Sequence, residues 1–136
     1  MSTSPSSSPV RLLLCDDHAV VRAGLRALLA GADGIDVVGE AATGEEALAM
    51  AAHLGPDVVL MDLQLDDGMD GVTAIRQLTA EGSRGPRVLV LTMFDTDADI
   101  TRAIEAGATG YIAKPVNIEQ LLSLVRTWSH GEPLPS

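Results

Sequence analysis

The sequence predicts an α/β domain in three layers, a parallel β-sheet with helices packed on both faces. Three observations point there. Short apolar runs alternate with stretches of helical periodicity along the chain, as in repeated strand–helix units. The runs V-R-L-L-L-C, V-V-L-M and V-L-V-L are short and nearly unbroken, as strands buried on both faces are. Each gives way to a polar side chain, and in open parallel sheets ligands collect at the carboxyl ends of strands. Crossovers between parallel strands are almost always right-handed, so these polar ends share one edge.

Taken in order, residues 1–9 are rich in Ser and Pro and read as a disordered tail. Residues 10–15 form the first strand, which ends in Asp16, Asp17 and His18. Over 19–30, Val21, Leu25, Leu28 and Leu29 recur at helical spacing, with Arg22 and Arg26 on the other side. The acids ahead of this helix are placed to cap its N-terminus. Glycines 31 and 34 stop it, and 35–41 is a second strand, weakened by Gly39 and Glu40. A helix over 45–54 opens with acids and ends at Gly55-Pro56.

The central stretch follows. Pro56 favours an extended approach, residues 58–61 are apolar, and Asp62 sits where that strand runs out. Residues 66–71 hold Asp66, Asp67 and Asp70 among glycines and read as a flexible, solvated loop. A helix spans 72–81, and a strand over 87–92 ends in the Thr92 hydroxyl. The helix over 96–106 carries Ile100, Ala103 and Ile104 as its apolar stripe. A short strand over 111–113 leads into Lys114-Pro115, and Asn117 can cap a last helix over 118–128. Residues 130–136, with two prolines, read as the start of a linker to an absent output domain.

Composition narrows the classes. The chain has 136 residues, enough for one domain with a real core, and 46% of them are hydrophobic. No apolar run approaches the roughly 18 residues of a membrane span, and the N-terminus has no apolar signal core. The one cysteine, Cys15, excludes an internal disulfide, fits a reducing cytoplasm and reads as a small core residue. A formal charge of −10 argues against direct nucleic-acid binding by this stretch and suits cations or basic partner surfaces.

The strand-end groups define a chemistry. Converging carboxylates repel each other unless a cation joins them, and oxygen ligands beside a phosphate suit Mg²⁺. A carboxylate can itself be the nucleophile that forms an aspartyl-phosphate. A lysine ammonium and a threonine hydroxyl can serve the remaining phosphoryl oxygens. Apart from His18, no His or Glu falls at these strand ends, so phosphoryl capture is favoured over rapid turnover.

These residues carry a resemblance. Asp16-Asp17, Asp62, Thr92 and Lys114-Pro115, in this order and spacing, resemble the receiver domain of two-component response regulators over about residues 10–128. The stretches D-D-H-A-V-V-R-A-G-L and E-A-G-A-T-G-Y are most similar to the NarL/FixJ (LuxR-type) subfamily, whose full-length members add a C-terminal helix-turn-helix domain. The resemblance implies a flavodoxin-like fold of five parallel strands in order 2-1-3-4-5 with five helices, the receiver spanning 10–129. It implies that Asp62 accepts a phosphoryl group from a sensor histidine kinase. Mg²⁺ would be held by Asp17 and Asp62 directly, Asp16 through water, and the Gln64 backbone carbonyl. Thr92 would bond the phosphoryl oxygen, Tyr111 follow it inward as an aromatic switch, and Lys114 pair with the phosphoryl group across a cis Lys114-Pro115 bond. The output would be transcriptional, with a homodimer as one route, through either the fourth helix and fifth strand or the first and last helices, where Leu124 and Trp128 lie.

Two departures flank the site, the first bearing on the conformation of the acidic loop and the second on access to Asp62. Asp66 stands where many receivers have proline, and Met93 where many have a small residue; Gln64 and Phe94 flank the site at positions that tune dephosphorylation. Taken singly, Asp16 reads as a cap, Thr92 as a strand end and Lys114 as a surface lysine; their joint placement reverses that. Tyr111 suits a packing role as well as a switch role, and His18 reads as a helix-start or surface residue. An Mg²⁺-dependent aspartyl-phosphate phosphohydrolase of the haloacid-dehalogenase type is the alternative, but Asp62-Leu63-Gln64 lacks its second acid. A degenerate receiver serving only as a docking module would not need the complete acid, hydroxyl and lysine set.

Overall fold

The computed structural model describes residues 9–63, 69–80, 85–92, 97–113 and 116–129, excepting the side chains of 97 and 127–129. The expected alternation is present: β1 (Val10–Cys15), α1 (Ala19–Ala30), β2 (Ile35–Ala41), α2 (Gly44–Leu54), β3 (Val58–Asp62), α3 (Gly71–Leu78), β4 (Arg87–Thr92), α4 (Asp97–Ala106), β5 (Gly110–Ala113) and α5 (Ile118–Ser129). All pairings are parallel and the strand order is β2-β1-β3-β4-β5. Helices cover both faces, because strands buried on both sides need apolar partners above and below. Every residue of β3 is buried.

Two apolar clusters sandwich the sheet. One joins Leu13, Cys15, Val59, Met61, Val88 and Val90 to α2, α3 and α4. The other joins Leu12, Leu14, Val58, Leu60, Leu89 and Leu91 to α1 and α5. The alternation along each strand assigns odd and even positions to opposite faces.

Local signals behave as their chemistry requires. The Thr43 hydroxyl accepts from the Glu46 N–H at 3.1 Å and so starts α2, while the Glu46 carboxylate accepts from the Ala42 N–H at 2.9 Å. Gly55 closes α2 in the left-handed region, φ 59°, its N–H donating to the Ala51 carbonyl. The Asn117 side chain accepts from the Gln120 N–H at 3.0 Å. β2 carries a bulge that places Gly39 opposite Leu13, and a Cβ on Gly39 would come within 3.0 Å of Leu54 Cδ1.

Three expectations need correction. On α1 only Leu25 and Leu29 are buried, whereas Val21 and Leu28 are 36% and 56% exposed, because the apolar stripe is wider than the groove it fills. On α4 Ala103 is buried but Ile104 faces outward, since small residues seat this helix. Asp16 and Asp17 do not cap α1: His18 is the N-cap residue, and no side chain caps there. Asp16 Oδ1 instead accepts from the His18 N–H at 2.8 Å, a tight local turn.

Candidate metal centre

The register of the sheet builds the site. Cys15 lies opposite Met61 on adjacent strands, so Asp16 and Asp62 are each one step further along and reach the same edge. The Asp16 N–H donates to the Ala41 carbonyl at 3.1 Å, which extends the β1–β2 ladder to the acid itself. Asp62 lies opposite Leu91, and the Leu63 N–H donates to the Leu91 carbonyl at 3.1 Å, so Thr92 comes one step beyond. Thr92 in turn lies opposite Ala113, the residue before Lys114.

Asp16, Asp62 and Thr92 are the buried polar side chains among the described residues, at 1%, 3% and 0% exposure. Buried carboxylates require compensating partners. One ligand atom from each of Asp16, Asp17, His18 and Asp62 lies within 4.8 Å of the others. The three carboxylates fit a hard divalent cation, which would offset the repulsion among them. Beneath the cluster, burial pushes the Cys15 thiol up to about 12, with the Asp62 and Asp16 charges adding to the effect. The thiol therefore stays protonated and is a core group rather than a nucleophile.

The ground behind Asp62 is tightly packed. A Cβ on Gly71, the first residue of α3, would meet the Leu63 carbonyl oxygen at 2.7 Å and the Asp62 carbonyl oxygen at 3.1 Å. Only glycine lets α3 begin directly against the backbone of β3. Asp70 caps that helix by accepting from the Thr73 N–H at 2.7 Å, and the Met69 N–H donates to both oxygens of Glu45 at 3.1 Å. Asp70 is therefore a helix cap, which corrects the reading of the whole acidic loop as merely solvated.

Tyr111 is 44% exposed on β5, while its neighbour Ile112 fills the core. Lys114, the Lys114-Pro115 bond, Gln64, Asp66, Asp67, Met93, Phe94, the tail 1–8 and the linker 130–136 lie outside the described residues, as does the side chain of Trp128.

The geometry adds two side chains to the site. His18 Nδ1 stands 2.9 Å from Asp17 Oδ1 and 3.2 Å from Asp16 Oδ1, inside the cluster. Arg22, read as lying on the far side of α1, reaches back so that its guanidinium donates to the Asp16 carbonyl. It also faces Glu40 at 3.4 Å, and Arg26 pairs with the same carboxylate at 2.7 Å. The available signal was spacing: Arg22 follows His18 by one helical turn, and Glu40 lies near the end of the adjoining strand.

Residues 12–126 match the response regulator receiver domain. The chain belongs to that family. This receiver is 44% identical over 124 residues to the transcriptional regulatory protein LiaR of Bacillus subtilis (strain 168), a match covering 91% of this chain and 58% of LiaR. It is 42% identical over 123 residues to the response regulator protein VraR of Staphylococcus aureus (strain NCTC 8325 / PS 47), covering 90% and 58%. The chain thus spans less than two thirds of the length of these curated relatives. Its fold superimposes on the signal receiver domain of the putative response regulator NarL from Mycobacterium tuberculosis with a TM-score of 0.83 at 30% identity, covering 92% of this chain and 99% of that one. A LuxR-family two-component response regulator from Aurantimonas sp. SI85-9A1 gives a TM-score of 0.82 at 36% identity, covering 95% and 91%. Receivers of this family are signalling switches controlled by phosphorylation, they hold Mg²⁺ in an acidic pocket, and response regulators pair with histidine kinases. No helix among the described residues is long and apolar enough to cross a membrane.

Proposed function

We propose that Asp62 is the phosphoacceptor of a cytoplasmic switch that takes its phosphoryl group from a sensor histidine kinase. The observation that carries this reading is the convergence of the Asp16, Asp17 and Asp62 carboxylates at one sheet edge, two of them buried, with the buried Thr92 on the next strand. In the transfer, an Asp62 oxygen bonds to phosphorus as the P–N bond to the kinase histidine breaks, and the bonding electrons leave with the imidazole. Asp17 and Asp62 would hold Mg²⁺ directly, Asp16 through water, and the Gln64 backbone carbonyl would be a further ligand. When bound, the ion would supply charge neutralisation for the phosphoryl oxygens.

The new charge then has to be satisfied. Thr92 donates to one phosphoryl oxygen and Lys114 pairs with another. Tyr111, exposed on β5, moves inward behind Thr92, which favours a second arrangement of α4 and β5. No outside substrate is turned over beyond this transfer and slow hydrolysis. The receiver extends over 10–129 between a tail and a linker, and the output is a transcription-regulating DNA-binding domain in the full-length protein. The acidic receiver itself does not contact DNA. Homodimerisation over α1 and α5 is favoured by Val20 and Leu28, which are 85% and 56% exposed on α1. Sedimentation with and without beryllofluoride checks it, and an unchanged monomer would remove it.

The deciding experiment mixes the protein with acetyl phosphate or a phosphorylated kinase and Mg²⁺, and reads intact mass. One phosphoryl group is expected on the wild type and none on Asp62→Ala. Equal labelling of Asp62→Ala would overturn the assignment, and steady phosphate release from small phosphomonoesters would favour the phosphohydrolase.

A further inference from the structure

The loop after β1 places a nitrogen donor beside the carboxylates. His18 occupies the N-cap position of α1 with extended backbone, φ −93° and ψ 106°, yet its side chain makes no cap hydrogen bond. Its ring turns back instead, with Nδ1 2.9 Å from Asp17 Oδ1 and 3.2 Å from Asp16 Oδ1. Neighbouring ligands of an octahedral ion with bonds of about 2.1 Å stand about 3 Å apart, so the spacing of Nδ1 from Asp17 Oδ1 matches one edge of such a polyhedron. The loop is held in that shape from two sides. The His18 N–H donates to Asp16 Oδ1 at 2.8 Å, and the Arg22 guanidinium donates to the Asp16 carbonyl.

We propose that His18 Nδ1 is a ligand of this centre, so that the pocket takes transition dications such as Co²⁺, Ni²⁺ or Zn²⁺ more tightly than Mg²⁺. The proposal rests on the acidic pocket assigned above and adds to it the choice of metal. Imidazole is a good ligand for the later first-row ions and a poor one for Mg²⁺, which prefers oxygen and retained water. Ligation through Nδ1 requires the neutral ring with its proton at Nε2, on a side chain that is 58% exposed. The carboxylates stay where the sheet holds them.

The test titrates Co²⁺ and Mg²⁺ separately into the full chain, as wild type, His18→Gln and Asp17→Asn, and records the proton spectrum of the Co²⁺ form. The wild type is expected to show a strongly shifted, exchangeable imidazole N–H signal that His18→Gln lacks. His18→Gln is expected to lose about tenfold in Co²⁺ affinity while its Mg²⁺ affinity changes less than about twofold. Equal Co²⁺ affinity in wild type and His18→Gln, with no shifted imidazole signal, would overturn the proposal; if Asp17→Asn still abolishes binding of both ions, the acidic pocket survives that result. Binding of both ions unaffected by Asp17→Asn would overturn the pocket and the proposal together.

Discussion

The two faces of the sheet are sealed in different ways. On the α1/α5 face the helices are anchored by Leu25, Leu29, Leu121 and Val125, with Ile118, Leu122 and Leu124 packed alongside. On the opposite face α4 contributes Ala103 and Ala106, and Ile104 points outward. Burying a Leu or Val side chain contributes about 1.5–3 kcal/mol and a single methyl about 0.8. The side chains of α4 therefore hold it to the sheet several kcal/mol less firmly than those of α5. A polar attachment lies at its C-terminal end, remote from the acids. There the Thr79 hydroxyl lies 2.8 Å from the Ile75 carbonyl and 2.9 Å from the Ala106 carbonyl, its one proton shared between α3 and α4. A helix fixed at the far end and lightly seated along its length is the element that the proposed phosphoryl transfer to Asp62 would shift. The acids stand at the ends of β1 and β3, both paired on two sides. The contrast separates a preformed site from a movable reporter.

The largest effect should come from the well-anchored face. Leu121→Ala removes a fully buried side chain and is expected to cost about 2–5 kcal/mol in urea unfolding. Ala103→Gly on α4 should cost about 1 kcal/mol, mostly from helix propensity. Similar losses for the two would break the contrast. Amide exchange sharpens it: α4 amides should open at lower free energy than those of α5, and addition of beryllofluoride should alter α4 more than α5.

Gly107 tests the far-end attachment. Its φ is +123°, and a Cβ there would fall 2.1 Å from Thr79 Oγ1 and 2.8 Å from Thr79 Cβ. Gly107→Ala should therefore destabilise by roughly 2 kcal/mol, and Thr79→Ala should not restore it, because the Thr79 Cβ remains. Full stability in Gly107→Ala would show that α4 is not fixed at that end.

How much of this was legible in the sequence follows from the same contrast. The strands and the site acids could be read because buried runs are nearly pure Val and Leu, and the acids interrupt them abruptly. The exposure of Val21, Leu28 and Ile104 could not be read, since periodicity marks an apolar stripe without saying how wide a groove receives it. Nor could the inward turn of His18, which depends on a local bond to Asp16, or the reach of Arg22 back to the Asp16 carbonyl. Such short polar links are decided by loop geometry, and loop geometry follows from the sheet register that brings the chain ends together.

Asp70 gives the smallest effect, and it tests how β3 hands over to α3. Its carboxylate is held below the ordinary aspartate range first by the Thr73 backbone N–H and then by the Thr73 side chain. A lowered folded-state value means that the cap stabilises fully above the unfolded aspartate pKa of about 3.9, and that this contribution is lost as pH falls through the lower folded value. Asp70→Asn keeps an acceptor for the Thr73 N–H but cannot titrate, whereas Asp70→Ala removes the cap at a cost of about 1 kcal/mol. Wild type should exceed Asp70→Asn in stability at neutral pH, through the charge at the helix N-terminus, and approach it in acid. A wild-type advantage that persists unchanged at low pH would show that the Asp70 charge does not contribute. The start of α3 would then owe its position behind Asp62 to the uncharged part of the cap hydrogen bond and to the close packing of Gly71.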